Sequence, residues 1–523
     1  MADIVFINPR FEPSYWGMEH SLRILGAKAV LPTAGLALLG ALTPQGHTVT
    51  IIDENVEPID WDRCARADLV GLTGMIVQRQ RMREILAALK ARGCFTVVGG
   101  PWITVQEDYF GPELVDVTFV GEAEDTWPQF LTEWAQGSHA VRYEQAEKTD
   151  MSRVPIPRLD LLRMEKYAFG SVQFSRGCPF TCEFCDIIVV FGRRPRIKTA
   201  EQILAELDAL RRAGKRDVFI VDDNLIGNKK AIKPILQAVV DWQREHGYPM
   251  GFFTEASLDL ADDPELMGMM VDANIDTVFI GIETPNEASL RETKKLQNVR
   301  GQGGSMLEKI HRVQENGIEV WSGMILGFDN DDASIFDAQR RFVRDARIVN
   351  PMVGMLSAIP KTPLYRRLQA EGRLDPADEP AYGTNVIPSR IERATLRDGY
   401  LSVLRDLHLP EAYFARLDSL YLGMGIRPQQ ARRRYMKKHP WRRLRFDLRM
   451  MAETAVIMVR LLRHVSDARL RREYLKRMWN IVKRRREPLI WQVYAIKCAM
   501  HYHVDTLVRE MSAGDGVPIR NSF

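Results

Sequence analysis

At 523 residues, with 46% apolar and 27% charged side chains, the chain is too long for one ordinary domain and apolar enough for two or three separate cores. Its six cysteines exclude a disulfide framework. The start, Met1-Ala2-Asp3-Ile4-Val5-Phe6, lacks the basic and apolar regions of a secretion signal, so a cytoplasmic protein is expected. The net charge of +4 excludes little, because residues 427–487 hold 21 Lys and Arg against 5 Asp and Glu and the remainder is acidic.

Residues 1–145 alternate short apolar runs with helical patterns. Strands are expected at 4–7, 49–52, 69–72, 95–98 and 117–120, with helices such as 33–42 and 80–91 between them. This rhythm predicts an α/β domain with a doubly wound, Rossmann-like parallel sheet, which binds ligands beyond the carboxyl ends of its strands. Residues 146–168, with Pro155 and Pro157, read as a linker. Six further strand–helix units follow, with strands at 171–176, 217–222, 251–257, 277–282, 318–326 and 351–358. They predict a partial (β/α)6 barrel of TIM type over 169–375, its chemistry on the loops after the strands. Strand signals then stop, and 376–523 reads as a basic helical extension.

Cys178, Cys182 and Cys185 lie just after the first barrel strand in a C-x3-C-x2-C spacing. Three thiolates on one tight loop can hold three irons of a 4Fe–4S cluster and leave the fourth open. Zinc would ask for a fourth Cys or His at short spacing, and none lies near. The run Arg176-Gly177-Cys178-Pro179-Phe180-Thr181-Cys182-Glu183-Phe184-Cys185 resembles the signature of the radical S-adenosylmethionine (SAM) superfamily. That resemblance implies SAM chelated to the open iron, its one-electron cleavage to methionine and a 5′-deoxyadenosyl radical, and a low-potential donor such as flavodoxin or ferredoxin. The partial six-unit barrel is also that superfamily's fold. The implied SAM contacts are Phe184, Asp222, Glu255, Ser257, Glu283 and Ile325, all at or near strand ends. Ile325 sits in Gly323-Met324-Ile325-Leu326-Gly327-Phe328-Asp329, which resembles the fifth-strand motif beside the adenine. Asp222 and Glu283 have a plainer alternative role, as acceptors for loop amides. Many superfamily members have Gly-Gly-Glu after the second strand, where this chain has Asp222-Asp223-Asn224.

Placed before such a barrel, Thr73-Gly74-Met75, Gly99-Gly100-Pro101-Trp102 and Gly121-Glu122-Ala123-Glu124 resemble three loops of the cobalamin-binding domain in the cobalamin-dependent, class B branch. The contacts this implies are Asp53, Thr73, Gly74, Met75, Gln78, Gly99, Gly100, Gly121 and Glu122. An Asp-x-His-x-x-Gly motif is absent, so no histidine is expected as lower axial ligand, and Met75 or Gln78 is expected beneath the corrin. A flavodoxin-like domain without cofactor is the alternative. The branch implies a methyltransferase that moves a methyl group from methylcobalamin to an unactivated carbon; a cyclase or rearrangement enzyme of the tetrapyrrole type is the runner-up.

The tail carries two more clues. Tyr382-Gly383-Thr384-Asn385-Val386-Ile387-Pro388 and Tyr413-Phe414-Ala415-Arg416-Leu417 resemble the extension of a subgroup that methylates hopanoids at ring-A carbon 2, which implies a lipid-like substrate. Trp441, Leu444, Phe446, Leu448, Met451, Val456, Leu461 and Leu462 are interleaved with arginines. Such helices suit peripheral contact with the inner face of the cytoplasmic membrane, or a solvated cap on the acidic remainder. Nucleic-acid binding is the third possibility and is not expected, since no RNA-binding β-barrel is appended.

Overall fold

The computed structural model describes residues 1–299, 303–513 and 519–521. Its first sheet contains β1 (Asp3–Asn8), β2 (Thr48–Asp53), β3 (Leu69–Thr73), β4 (Thr96–Gly99), β5 (Val117–Val120) and β6 (Arg142–Glu144), all parallel, in the order β2-β1-β3-β4-β5-β6. Winding reverses between β1 and β3, so the strand ends splay there and leave a crevice. Both faces are covered, and successive residues therefore face different helices. Val5, Ile7, Val70 and Leu72 pack with Met82, Ile85, Leu86 and Leu89 of the helix Arg79–Lys90. Ile4, Phe6, Leu69 and Phe119 pack with Trp127 and Phe130 on the other side. The short edge strand β6 carries one buried residue between two exposed ones, too weak a pattern to register in the sequence.

The expected linker is a docked segment. Three single turns, Met151–Arg153, Leu159–Leu161 and Met164–Lys166, run along the first domain. Arg158 N donates to Ala37 O at 3.0 Å, and Ala168 N to Ala29 O at 2.9 Å.

The second sheet begins with β7 (Gly170–Gln173). A ribbon of β8 (Ser175–Arg176) and β9 (Arg196–Ile197) follows, then β10 (Asp217–Val221), β11 (Gly251–Glu255), β12 (Ile275–Glu283), β13 (Glu319–Leu326) and β14 (Pro351–Met355). Six strands pair in parallel in chain order, β7-β10-β11-β12-β13-β14, and β14 does not return to β7, which makes the barrel partial. The strand expected at 171–176 breaks at Phe174. Beyond it the chain leaves the sheet for the antiparallel ribbon, with Ser175 opposite Ile197 and Arg176 opposite Arg196. Crossover helices begin where side chains satisfy their free amides: Thr199 with Gln202, and Ser305 with Glu308, form reciprocal caps.

Helices from Arg393 to Met511 complete the molecule. Tyr413, Phe414, Tyr421, Tyr474 and Tyr494 form their aromatic core. The long helix Pro488–Met511 reaches the start of β13, where Glu319 accepts from Lys497 Nζ at 2.5 Å, Tyr421 Oη at 2.6 Å and Trp321 Nε1 at 2.9 Å. His503 Nε2 lies 2.8 Å from Ser14 O in the first domain. Much of the tail is thus a cap built into the fold. Among the described residues no helix is long and apolar enough to cross a membrane.

Candidate active site

The cysteine loop hangs from the neck made by β8 and β9. Gly177 takes φ +98°, and a Cβ there would stand 2.8 Å from Arg194 O and 3.0 Å from Gly192 O, so the turn needs glycine. Gly177 N donates to Asp223 Oδ2 at 2.7 Å, Cys178 N to Gly192 O at 3.2 Å and Cys185 N to Cys182 O at 3.2 Å. Between the last two cysteines, Glu183 N donates to Thr293 O at 2.9 Å while its carboxylate meets Arg367. The loop is therefore pinned at its neck and its middle, leaving the thiols as its variable chemistry. Burial pushes the Cys178 and Cys185 thiols up, so in the free protein they hold their protons. Metal binding to such a site releases those protons. Among the described residues no three Cys, His, Asp or Glu converge as they would around a single ion. A cubane instead presents a separate iron to each thiolate.

Two residues that sequence reasoning missed stand beside the thiols. Gln297 Nε2 is 3.5 Å from Cys182 Sγ, and its Oε1 is buried without a partner. Lys295 pairs with Glu283 at 2.6 Å; although burial opposes its charge, Glu283 and the neighbouring thiols hold its pKa above the ordinary value. Neither position has a motif, because both come from a turn after β12 that only the fold brings back to the cysteines.

The expected SAM residues divide. Asp222 is occupied: Ser175 Oγ donates to both its oxygens at 2.9 Å, and Asn224 N donates at 2.9 Å. Ser257 is braced, accepting from Asn224 Nδ2 at 3.0 Å and donating to Asp259 at 2.5 Å. Glu283 sits at φ +65° beside a register shift in β12, its carboxylate on Lys295. Phe184 lies 6.1 Å, ring to ring, from Phe328 and packs against Ile325 and Leu356. Glu255, at the end of β11, has no side-chain partner among the described residues. Burial, then the charges of Asp223 and Asp222, push it up to about 8; burial alone dominates in raising Asp222 to about 7. Asp222, Asp223 and Glu255 form no ion pair among the described residues, and their raised carboxyls, although Lys295, Arg176 and Arg196 act on them from a distance, make a pocket that favours a bound positive charge.

On the first domain, Thr73, Gly74, Gly99, Gly100 and Gly121 come together at one rim. A Cβ on Gly100, at φ +97°, would lie 2.1 Å from Thr73 Oγ1. Trp102 N donates to Gly74 O at 3.1 Å, and Gly121 N to Thr104 Oγ1 at 3.0 Å. Met75 is half exposed, whereas Gln78 is buried, its amide donating to Pro9 O at 2.5 Å and accepting from Met75 N at 2.9 Å. Asp53 is also spoken for, accepting from Tyr167 Oη, Asn8 and Asn55. Glu122 is clamped by Arg176 at 2.7 Å and Arg196 at 2.9 Å and accepts from Thr149 N. Its neighbour Glu124 meets Arg176 at 2.7 Å; burial raises its carboxyl, but that guanidinium overrides and holds it below the usual range. Next to these loops, between the start of the helix Arg79–Lys90 and the segment that follows β14, opens a cavity of about 1820 Å³. Ile76, Val77, Trp102 and Gln106 line it from one side and Ser357 to Pro360 from the other, with charged groups such as Arg79, Glu84, Asp378 and Arg397 around them; among the described residues no histidine lines it. Its size fits a corrin, and the glycine loops, where a Cβ on Gly100 would strike Thr73, leave the adjoining rim free of side chains.

Models of three families match the chain in order: the B12 binding domain over residues 22–131, the radical SAM superfamily over 172–340 and a domain of unknown function over 362–515. An uncharacterised methyltransferase of Synechocystis is 40% identical, covering 80% of this chain and 79% of its own. The hopanoid C-2 methylase of Rhodopseudomonas palustris is 37% identical over 71% of each chain. The chain belongs to the cobalamin-dependent radical SAM methylase family. Its fold is similar to that of TsrM from Kitasatospora setae, solved with cobalamin and a [4Fe-4S] cluster, with TM-score 0.59, 16% identity and coverage of 76% and 82%. OxsB with aqua-cobalamin bound gives TM-score 0.59 at 15% identity over 96% and 84%. The methylase accordingly uses a 4Fe–4S cluster, SAM and cobalamin, and depends on a reductant.

Proposed function

We propose that this methylase acts on a polycyclic lipid of the hopanoid class, methylating an unactivated carbon of ring A, C-2, with the reducing electron supplied by a flavodoxin or ferredoxin at the inner face of the membrane. The relation to the hopanoid C-2 methylase carries the substrate class. The Chlorobaculum tepidum bacteriochlorophyllide methyltransferases are more distant, at 24% and 22% identity. Supporting it in the structure is the large cavity between the two sheets, whose wall includes Ile76, Val77, Trp102 and Ile359. A rigid apolar substrate seated against those four residues loses water from the face that meets them, which favours binding.

When bound, the cluster and SAM supply a hydrogen-abstracting radical and the corrin supplies the methyl group. The chain's own residues do the rest. Cys178, Cys182 and Cys185 hold the cluster, with Lys295 close enough to balance its negative charge. Glu255 receives the positive charge of SAM, and Phe184 and Ile325 wall the adenine side. Thr73, Gly74, Gly99, Gly100 and Gly121 admit the corrin. Arg176, two residues from Cys178, ties this loop to Glu122 and so fixes one cofactor site relative to the other.

Anaerobic turnover tests the reading. Deoxyadenosine and S-adenosylhomocysteine should form together with a methylated hopanoid, and only with cobalamin bound. Deoxyadenosine without methylated product would favour the cyclase reading. Loss of 2-methylated lipid in a deletion strain would settle the substrate.

A further inference from the structure

The helices Pro440–His464 and Ala468–Arg484 flank Pro488–Met511 and have apolar residues on two sides. In the first, Met450, Thr454, Ile457 and Leu461 are buried against the cap. Trp441, Leu444, Leu448 and Val459 follow the same helical repeat about half a turn away, and all four are exposed, Trp441 by 77%. The second helix repeats the arrangement: Leu470, Tyr474, Met478 and Ile481 face inward, while Leu475, Trp479 and Val482 face out, Trp479 by 64%. An amphipathic helix that only capped the barrel would have a polar outer face. Two helices joined through residues 465–467, both packed on Pro488–Met511 and both with apolar outer stripes, present a surface made for something else.

The charges around those stripes say what it is. Residues 440–486 hold fifteen Lys and Arg against four Asp and Glu. All four acids are paired inside the molecule: Asp447 with Arg443, Glu453 with Arg216, Asp467 with Arg509 and Glu473 with Arg477. Arg445, Arg463, Arg471 and Arg472 are exposed and have no carboxylate partner among the described residues. Lys483 Nζ lies 4.5 Å from the Trp479 ring, so a cation and an indole act at one point. Tryptophan beside arginine, apolar side chains between them and no free acid match the boundary between phosphate headgroups and acyl chains.

We infer that the outer faces of these two helices form one docking surface for an anionic lipid bilayer, with Trp441, Leu448 and Trp479 inserted and the arginines on headgroup phosphates. The inference deepens the lipid-methylase reading and rests on it for its purpose, since a membrane-dwelling substrate must reach the cavity. Its physical basis is independent of the reaction.

The test uses the full-length protein, sedimented with vesicles of pure phosphatidylcholine and with vesicles half phosphatidylglycerol. Binding is expected to the second, weakening as salt rises. The triple variant Trp441→Ser, Leu448→Ser, Trp479→Ser, altered only at exposed positions, should bind at least about tenfold less while cleaving SAM as well as the parent. Wild-type protein left in the supernatant with anionic vesicles would overturn the inference, as would equal binding by the variant. So would a wild-type dimer that the variant turns into a monomer, because a second copy would then cover the face, or tight RNA binding that the same substitutions abolish. Vesicle binding by a protein that makes no methylated product would sink the methylase reading and leave this one standing.

Discussion

Two groups of buried carboxylates lie within a few residues of the cysteine loop, and they behave oppositely. At the seam between the sheets, Glu122 and Glu124 are saturated by Arg176 and Arg196. At the barrel mouth, Asp222, Asp223 and Glu255 have hydrogen bonds or nothing and no ion pair; Arg176, Arg196 and Lys295 act on them only from a distance, and burial before all else pushes their carboxyl groups up to about 7, 6 and 8. An acid whose partner is protein holds the structure together. An acid buried beside other acids stores a cost that a cationic ligand removes on binding. Burial alone does not separate the two groups, but the presence of a partner does.

The comparison yields graded tests. Cys182→Ala is expected to cut SAM cleavage to background, because three ligands leave no spare, while cobalamin binding measured by corrin absorbance survives. Glu122→Ala should leave Arg196 without its carboxylate and Arg176 with Glu124 alone, and cost about 3 kcal/mol in denaturant unfolding, since breaking a buried pair strands its charge. If the loss is only a few tenths, the seam is not the strut described above. Glu255→Gln should leave the fold intact and weaken SAM binding, read by equilibrium dialysis.

Glu255 also has a sign that can be checked by pH. Its folded carboxyl titrates near 8 against 4.5 for the ordinary group, so between those values the folded chain holds a proton that the unfolded chain has lost. Stability of the SAM-free protein should therefore fall as pH rises through that window, by at most about 1.4 kcal/mol per pH unit, and the Gln variant should flatten the slope. Smallest of all, Tyr167→Phe removes one of the hydrogen bonds to Asp53 and should cost about 1 kcal/mol in thermal unfolding, without touching SAM cleavage.

Much of this molecule was legible before any coordinates. The strands of both sheets fell within a few residues of their observed bounds, because buried parallel strands are continuous apolar runs. The cysteine spacing singled out the loop that the β8–β9 neck carries. What escaped was whatever depends on distant pairing. β6 is an edge strand with a single inward residue, Lys295 and Gln297 reach the thiols from a turn about 115 residues downstream of Cys182, and the pairing of Glu122 with Arg176 and Arg196 joins residues that lie 54 and 74 positions apart. The basic tail read as either a cap or a surface. It turned out that the same helices bury one face and expose another, which a count of charges does not distinguish.

The bond between Lys497 and Glu319 spans 178 residues and has a consequence for timing. A nascent chain emerges N-terminal end first, so the fifth barrel strand leaves the ribosome long before the helix that neutralises its first side chain. Until that helix arrives, Glu319 stays wet, because burying a lone carboxylate costs several kcal/mol. The lower end of the barrel therefore seals late in synthesis, once its last long helix has folded back.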